Sequence, residues 1–329
     1  MEKMKAISSL DELNLFPSQN IRLTNSIDRY GFSYDLANYF GMTTPRRSFC
    51  NWVHGWIWWE DLMKPEDILG VTPFTDHIPI IVGSANEKRL ILDEKYKSDV
   101  YVGGLPYVYC PEFNVQKCKD TLLAVLAHSS EGEIHEVSDE NYLDYLYSIK
   151  DNWKSIYVLI YYLDKSKKLI SEIEARGLKF IIGANPHDRY SLQRTKLIFS
   201  LADAVNSNVM GSHIAYALAS NCKVSLVDNL YRYEPSVSLN ANGMHLSDVV
   251  ERNLFVASAE YLKSRYKFLF IDPSEGSRNI QLGKKYIGQE NKIDSNELKN
   301  IIGWNLSNQL NGYFKGFFNR AKKMLATKS

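Results

Sequence analysis

The sequence of 329 residues is poor in cysteine and has no long apolar run. It contains four cysteines, Cys50, Cys110, Cys118 and Cys222, and no two of them form a CxxC pair. This spacing argues against a disulfide framework or a structural zinc site and favours a reducing compartment. No run of about 18 apolar residues predicts a transmembrane helix, and the N-terminus lacks the apolar core of a signal peptide. We therefore expect a cytoplasmic protein.

The chain also has almost no excess of charge of either sign. Its formal net charge is +1, whereas a nucleic-acid-binding domain usually shows a clear surplus of Lys and Arg. We therefore expect no nucleic-acid partner. Hydrophobic residues make up 45% and charged residues 23% of the chain, a composition typical of globular proteins, and the length allows two domains of ordinary size.

Several nucleotide and hydrolase motifs are absent. The sequence has no GxxxxGK[ST], no GxGxxG after the first predicted strand, and no GxSxG, which weakens the kinase, dehydrogenase and esterase hypotheses. His128, Glu131, Glu133 and His135 match no common zinc spacing, and alternation would divide them between two faces of an extended segment. We predict no metal site there.

Short apolar strands alternate with amphipathic helices through most of the chain, which predicts parallel sheets covered by helices. We predict strands at 48–53, 78–83, 99–102, 121–127, 156–162, 180–182, 203–205, 224–227 and 268–271. The fold class is therefore α/β, with an N-terminal domain at 1–115 and a C-terminal domain at 116–300. Each domain is expected to be doubly wound and Rossmann-like, with a cleft between the two.

The remaining residues, 301–329, form a third predicted part. An amphipathic helix over 304–325 places Leu306, Leu310 and Phe317 on one face, while Lys322 and Lys323 add positive charge. Two interpretations remain open. The helix packs back onto the first domain, or its basic end lies on an anionic membrane surface.

The stretch 196–228 carries the main sign of a binding site. A helix and a short strand lead into Asn206, Ser207 and Asn208, and a second helix begins at Gly211 and Ser212. Backbone N–H groups at a helix N-terminus, together with the helix dipole, form a site for phosphate. The alternative is an ordinary capped turn between a strand and a helix.

Three polar clusters, at 128–131, 185–189 and 206–213, each follow a predicted strand of the second domain. The carboxyl ends of parallel strands share one edge of a sheet, so these clusters are expected to meet in one crevice. The candidate phosphate- or nucleotide-binding residues are His128, Ser129, Ser130, His187, Arg189, Ser207, Asn208, Gly211, Ser212 and His213.

The order of these motifs resembles a known enzyme group. Trp-Val-His-Gly at 52–55 and Gly-Gly-Leu-Pro-Tyr at 103–107 are similar to turns in bacterial GT-B glycosyltransferases that assemble surface polysaccharides such as capsule and lipopolysaccharide. They are also similar to turns in the teichoic-acid glycerophosphotransferases, in which a strand like 121–127 follows. Asn-Pro-His-Asp-Arg at 185–189 resembles the His-Pro motif of bacterial sialyl- and Kdo-transferases, and 207–212 resembles their phosphate loop.

This resemblance implies a transferase that moves a sugar from a nucleotide-sugar to a glycan or lipid-linked glycan of the cell surface. The nucleotide-sugar is then a substrate, and no cofactor is expected. The Glu-x₇-Glu pair of many retaining GT-B enzymes is not visible near the donor loop, which favours inversion. The leading hypothesis is a metal-independent transferase. We expect a cytoplasmic protein, and the membrane interpretation of the C-terminal helix would place it on the inner membrane face.

Two residues are candidates for the base that deprotonates the acceptor. His54 follows a predicted strand of the first domain, which binds the acceptor in two-domain transferases, and an imidazole has an ordinary pKa near ~6.5. Glu131 of the second domain is the other candidate. The alternative interpretation of His54 is a packed residue beneath Trp52, Trp56, Trp58 and Trp59.

Two other functions are compatible with this sequence. A nucleotide-sugar 2-epimerase shares the fold but requires no acceptor. A non-catalytic sugar- or nucleotide-binding subunit would use the crevice for binding alone and recruit a partner through the C-terminal helix.

Overall fold

The computed structural model describes residues 7–16, 18–69, 78–93, 96–128, 140–231 and 246–310. Within them the chain forms two parallel β-sheets with helices packed around them, as predicted for an α/β fold. The first sheet has the strand order β1-β2-β3 and comprises β1 (Asn51–Trp52), β2 (Ile80–Val82) and β3 (Val100–Val102). We refer to the part of the chain around it as the first unit.

The second sheet has the strand order β6-β5-β4-β7-β8, and all its pairs are parallel. We refer to the part of the chain around it as the second unit. Its strands are β4 (Cys118–Val125), β5 (Ser155–Ile160), β6 (Lys179–Ile182), β7 (Ala202–Ser207) and β8 (Lys223–Leu226). This is the order of the first five strands of a doubly wound sheet. Successive strands are added on one side of β4 as far as β6, and the chain then returns to add β7 and β8 on the other side. Ligands of such sheets bind outside the carboxyl ends of the strands at that point.

The helices surround both sheets. They are α1 (Leu10–Asn14), α2 (Phe32–Tyr39), α3 (Pro65–Leu69), α4 (Ala85–Asp93), α5 (Glu140–Ser148), α6 (Lys167–Ala175), α7 (Ser191–Leu201), α8 (Ser212–Ala219), α9 (Leu246–Val256), α10 (Ala259–Tyr266), α11 (Ile280–Tyr286) and α12 (Ser295–Ile301). None of the helices within the described ranges has the length and apolar content needed to cross a bilayer.

The two units share one apolar core. Trp52 of the first sheet, Tyr107 after β3 and Phe199 and Leu218 of the second unit are buried in a single cluster. The rings of Tyr107 and Tyr216 stack across this boundary, with centroids 4.2 Å apart and planes 4° from parallel. Because burial of apolar surface is the main favourable term in folding, this continuous core fixes the position of one unit against the other.

The last described segment returns to the first unit. The backbone N–H of Leu105 donates to the carbonyl oxygen of Ile287 at 2.9 Å. Trp304 is 1% exposed, and its indole Nε1 donates to Ser48 Oγ at 2.9 Å. Gln309 Nε2 donates to the carbonyl oxygen of Arg47 at 2.8 Å. The chain therefore crosses from the second unit and closes the first.

Two local predictions differ from the structure. The apolar run 268–271 was expected to be a strand, but it follows α10 as a 3₁₀ turn, Lys267–Leu269. A run of four apolar residues does not distinguish a buried strand from a buried turn. Leu306 and Leu310 are 71% and 51% exposed, so the described part of the C-terminal segment is anchored by Trp304 and Gln309 instead. Phe317, Lys322 and Lys323 lie outside the described residues.

Candidate functional site

A cleft of about 370 Å³ lies between the two sheets, at the carboxyl ends of their strands. Residues that follow β1, β4, β5, β6 and β7 all contribute to its wall. It therefore lies at the change of direction of the second sheet, where the fold predicts a ligand. The lining residues used below are Arg29, Tyr30, His54, Gly55, His128, Tyr161, Thr195, Gly211, Ser212, His213 and Tyr216.

His54 reaches this cleft from the end of β1. Its Nε2 lies 2.5 Å from the carbonyl oxygen of Ser26, and because a carbonyl oxygen only accepts, Nε2 carries the proton. The neutral ring then has its lone pair on Nδ1. The Ser26 hydroxyl also accepts a hydrogen bond from the N–H of Trp52 at 2.9 Å, so the same residue anchors β1 and orients the imidazole.

Burial lowers the pKa of His54 to about 4, while the hydrogen bond to Ser26 opposes that shift. The side chain lies among the rings of Tyr30 and Phe32, at centroid distances of 5.9 and 6.1 Å. The sequence suggested an ordinary imidazole pKa, and the apolar surroundings change this. His54 is neutral at pH 7 and is a weaker base than a solvated histidine.

The phosphate-loop hypothesis concerns the turn that begins α8. Gly211 is the N-cap residue of α8 and has an extended backbone. A Cβ at this position would lie 3.0 Å from Nδ1 of His213, which is a tight contact. Ser212 is the first helical residue, and its Oγ accepts the backbone N–H of Trp56 at 2.8 Å. The N-terminus of an eight-residue helix therefore faces the cleft directly beside the His54 turn, where N–H groups favour an anion.

His213 lies in the same turn, and its ring contacts the last residue of β7. Its Nε2 is 3.0 Å from Ser207 Oγ. Burial lowers the pKa of His213 to about 3, and the neighbouring His128 lowers it further, against a hydrogen bond to the backbone of Val209. His213 is therefore a neutral hydrogen-bonding group of the cleft wall at pH 7.

Ser207 and Asn208 support the loop from the sheet side. Ser207 is fully buried, and its Oγ lies 2.9 Å from the carbonyl oxygens of both Val125 and Val209. Asn208 is also fully buried, and its Oδ1 accepts the N–H of Ala127 at 3.0 Å. Ser207 and Asn208 therefore stabilise the conformation of the loop and are not among the residues that line the cleft.

His128 follows β4 and is exposed in the cleft, with its ring 4.7 Å from that of Tyr161. It thereby lies in the same cleft as His213, so two of the three predicted polar clusters contribute residues to this cleft. Ser129, Ser130 and Glu131 lie outside the described residues.

The cluster at 185–189 takes a different position. His187 is exposed and is not among the residues that line the cleft. The Arg189 guanidinium lies over the Tyr34 ring at 4.4 Å and donates to Gln19 Oε1 at 3.3 Å. Asp188 is 2% exposed and accepts the N–H of Gln19 at 2.9 Å. In this structure the polar groups of the cluster fasten the N-terminal segment to the second unit.

Arg29 and Tyr30 enter the cleft in addition to the candidates named from the sequence. They precede α2 in a kink in which Tyr30 has φ +59° and Gly31 has φ +76°. A Cβ at Gly31 would lie 1.9 Å from the carbonyl oxygen of Arg189. In the sequence, Gly31 interrupts a near-helical apolar spacing over residues 27–40, and this interruption is a signal that could have indicated the kink.

Two further cleft residues, Thr195 and Tyr216, lie on helices α7 and α8. The Tyr216 hydroxyl donates to the carbonyl oxygen of His54 at 3.2 Å. Both residues lie on predicted helices whose patterns indicate ordinary packing surfaces, so sequence reasoning did not select them.

No family model matches this sequence, and no curated protein gives a significant match. Among solved structures, the chain is similar to the glycosyltransferase SnogD from Streptomyces nogalater, with 12% sequence identity and a TM-score of 0.31. That likeness covers 91% of this chain and 85% of the other.

Proposed function

We propose that this protein is a glycosyltransferase that uses a nucleotide-sugar donor. The observation that carries the proposal is the hydrogen bond from the Trp56 N–H to Ser212 Oγ. This bond holds the turn that contains His54 next to the N-terminus of α8. The cleft therefore contains both a neutral imidazole and an anion-binding helix end. An inverting transfer from a phosphate leaving group uses a base for the acceptor hydroxyl and hydrogen-bond donors for the departing phosphate.

The donor phosphates would bind at Gly211, Ser212 and His213. Helix N–H groups and the helix dipole stabilise the negative charge that grows on the departing phosphate oxygen. His128 and Arg29 lie in the same wall and add hydrogen-bond donors. His187 and Arg189 remain predicted nucleotide ligands from the sequence, but their present contacts favour a structural role.

His54 would act as the base from the first unit. As the acceptor oxygen forms its bond to the anomeric carbon, the acceptor proton passes to Nδ1, and the bond from carbon to the phosphate oxygen breaks with its electron pair. The carbonyl oxygen of Ser26 holds Nε2–H at 2.5 Å and stabilises the imidazolium that results. Attack from the face opposite the leaving group inverts the anomeric centre. Glu131 stays the alternative base.

The finer assignments follow from the sequence. The leading hypothesis is a metal-independent reaction with a glycan or lipid-linked acceptor of the cell surface, and the basic amphipathic C-terminal segment favours attachment to the inner membrane face.

A thermal-shift panel of CMP, CDP, UDP and GDP tests the donor site, because a ligand that binds only the folded state raises the melting temperature. We expect one nucleotide to stand out and its effect to diminish in Ser212→Trp. The corresponding nucleotide-sugar is then incubated with and without lipid-linked acceptors, in the presence and absence of a chelator. Isomerised donor without acceptor would identify an epimerase, and binding without any turnover would identify a non-catalytic subunit.

A further inference from the structure

A second pocket, of about 240 Å³, opens on the first unit outside the cleft. The residues that line it are Ile21, Arg22, Thr24, Asp28, Ser33, Tyr34, Pro45, Arg46 and Arg47. Three of them are arginines, and all three are exposed. We refer to it as the arginine pocket.

The single carboxylate in this wall does not neutralise the arginines. Oδ2 of Asp28 accepts the backbone N–H of Thr24 at 2.8 Å and the hydroxyl of Thr24 at 2.6 Å. It also accepts the N–H of Asn25 at 3.3 Å as part of a capping box. Among the residues that the structure describes, no carboxylate forms an ion pair with Arg22, Arg46 or Arg47. The pocket therefore carries a positive potential.

One arginine side chain and the backbone on both sides of the pocket are held by long-range contacts. Arg46 Nη1 donates to the carbonyl oxygen of Trp304 at 2.8 Å, and the carbonyl oxygen of Arg47 accepts from Gln309 at 2.8 Å. The N–H of Ile21, next to Arg22, donates to the carbonyl oxygen of His187 at 2.9 Å. The Arg47 guanidinium lies 5.6 Å from the centroid of the Phe49 ring. Because the backbone on both sides of the pocket is fixed, an anion would have to order only the exposed side chains, which lowers the entropic cost of binding.

The arginine pocket and the cleft share one wall. Asp28 lines the pocket, while the next two residues, Arg29 and Tyr30, line the cleft. On the pocket side, the Arg189 guanidinium lies 4.4 Å from the ring centroid of Tyr34, a residue that lines the pocket. It adds a further positive charge close to the pocket. The two pockets are therefore adjacent but separate.

We propose that the arginine pocket is an anion-binding site that takes a phosphate group of a ligand other than the one in the cleft. Guanidinium groups match phosphate oxygens with paired N–H donors, and such charge-assisted hydrogen bonds are among the strongest available to a protein surface. The phosphate belongs either to a soluble phosphorylated ligand or to a lipid headgroup. The site depends only on the arginines and not on the activity of the cleft.

The test compares two double variants that remove the same charge. Arg22→Gln/Arg47→Gln changes the pocket, and Arg89→Gln/Lys97→Gln changes two exposed residues elsewhere on the first unit. Every chain in the test, including the one whose pocket is unaltered, carries Ser212→Trp, which blocks the phosphate site proposed for the cleft. Inorganic pyrophosphate is titrated calorimetrically into each full chain, and co-sedimentation is measured with phosphatidylcholine vesicles with and without phosphatidylglycerol. Circular dichroism checks the fold of each variant, and Arg22→Gln alone serves as a second pocket variant.

We expect the unaltered chain to bind one of the two probes and the pocket variants to lose at least about tenfold in affinity, the value of one charge-assisted hydrogen bond. Loss of pyrophosphate binding identifies a soluble ligand, and loss of vesicle binding identifies a lipid. An equal loss in the control variant would overturn the assignment, since a general charge effect would then explain it. Failure of the unaltered chain to bind either probe, or binding that the pocket variants retain, would overturn it as well.

Discussion

The backbone N–H of Trp56 and the hydroxyl oxygen of Ser212 are 2.8 Å apart and join the two units at the edge of the cleft. Trp56 is 6% exposed, so its N–H has little access to water if this acceptor is removed. The bond therefore contributes to stability as well as to the geometry of the site.

Replacement of Ser212 by Ala should reduce the unfolding free energy by about 1–3 kcal/mol, the cost of a buried donor left without a partner. The matched control is Gly55→Ala, because a Cβ there would lie 3.5 Å from Ser212 Oγ, an ordinary contact. We expect a change of less than about 1 kcal/mol for the control. Urea unfolding measures both, and an equal loss in the two variants would show that the Trp56 bond is not the cause.

Removal of the imidazole should separate catalysis from nucleotide binding. His54→Gln is expected to lower transfer by roughly 10²- to 10⁴-fold, the usual contribution of a general base, with nucleotide affinity nearly unchanged. Turnover and nucleotide titration of the same preparation provide the measurement. Near-native turnover in His54→Gln, with a dead Glu131→Gln variant, would transfer the role of base to Glu131.

The pH profile should reveal the lowered basicity of His54. Burial lowers its pKa to about 4, so the neutral form persists well below pH 6.5. The acid limb of kcat/KM, which reports the free enzyme, should therefore have its midpoint near 4. A midpoint near 6.5 would indicate a solvated base. Because His54 binds its proton more weakly when folded than when unfolded, stability falls as the pH drops below 6.5, and the fold must be checked at each pH.

The kink before α2 gives a prediction about stability. Gly31 and Gly41 both have positive φ, +76° and +67°, but only at Gly31 would a Cβ strike a backbone atom, the carbonyl oxygen of Arg189 at 1.9 Å. Gly41→Ala should cost about 1–2 kcal/mol, the price of a left-handed alanine. Gly31→Ala should cost at least about 4 kcal/mol or prevent folding. Similar thermal melts of the two variants would contradict this difference.

A buried carboxyl should make stability fall as the pH rises. Burial raises the pKa of Asp35 to about 7, against the hydrogen bond from Gln193 and the charges of Lys196 and Arg189. The unfolded carboxyl ionises near its usual value of 3.8, so its contribution to stability is present below that pH and is lost as the pH rises through 7.

Asp35→Asn keeps a neutral side chain of the same shape. Relative to this variant, the unaltered protein should lose about 2–4 kcal/mol of unfolding free energy between pH 4 and pH 8. Asp93→Asn, at an exposed residue, is the matched control and should show no such difference. Parallel dependence on pH in all three proteins would exclude Asp35 as the cause.

Much of the fold was accessible from the sequence because its strands are short, buried and regularly separated by helices. The run 121–127 is an example, since Leu122, Leu123 and Ala124 are fully buried in β4. The sequence does not contain the spatial order of the strands, and this order decides which strand ends meet. The run 268–271 also shows that an apolar segment shorter than a typical strand is ambiguous.

The spatial order of the strands also explains which of the predicted site residues meet in the cleft. His128, Gly211, Ser212 and His213 follow β4 and β7, which are neighbours at the centre of the second sheet, and they meet in the cleft. The 185–189 cluster follows β6, an edge strand, where the N-terminal segment offers partners for its polar groups. Its residues therefore lie at the far end of the same sheet edge.

The return of the chain through Ile287, Trp304 and Gln309 to the first unit determines the order in which the protein is completed on the ribosome. The five strands of the second sheet lie between residues 118 and 226 and can pair as soon as that part has emerged. The first sheet emerges earlier, but Ser48 and the carbonyl of Arg47 wait for partners that are among the last described residues to be made. The nascent first unit therefore lacks these contacts until the segment through Gln309 has emerged, and the part of the protein that is translated first is completed last.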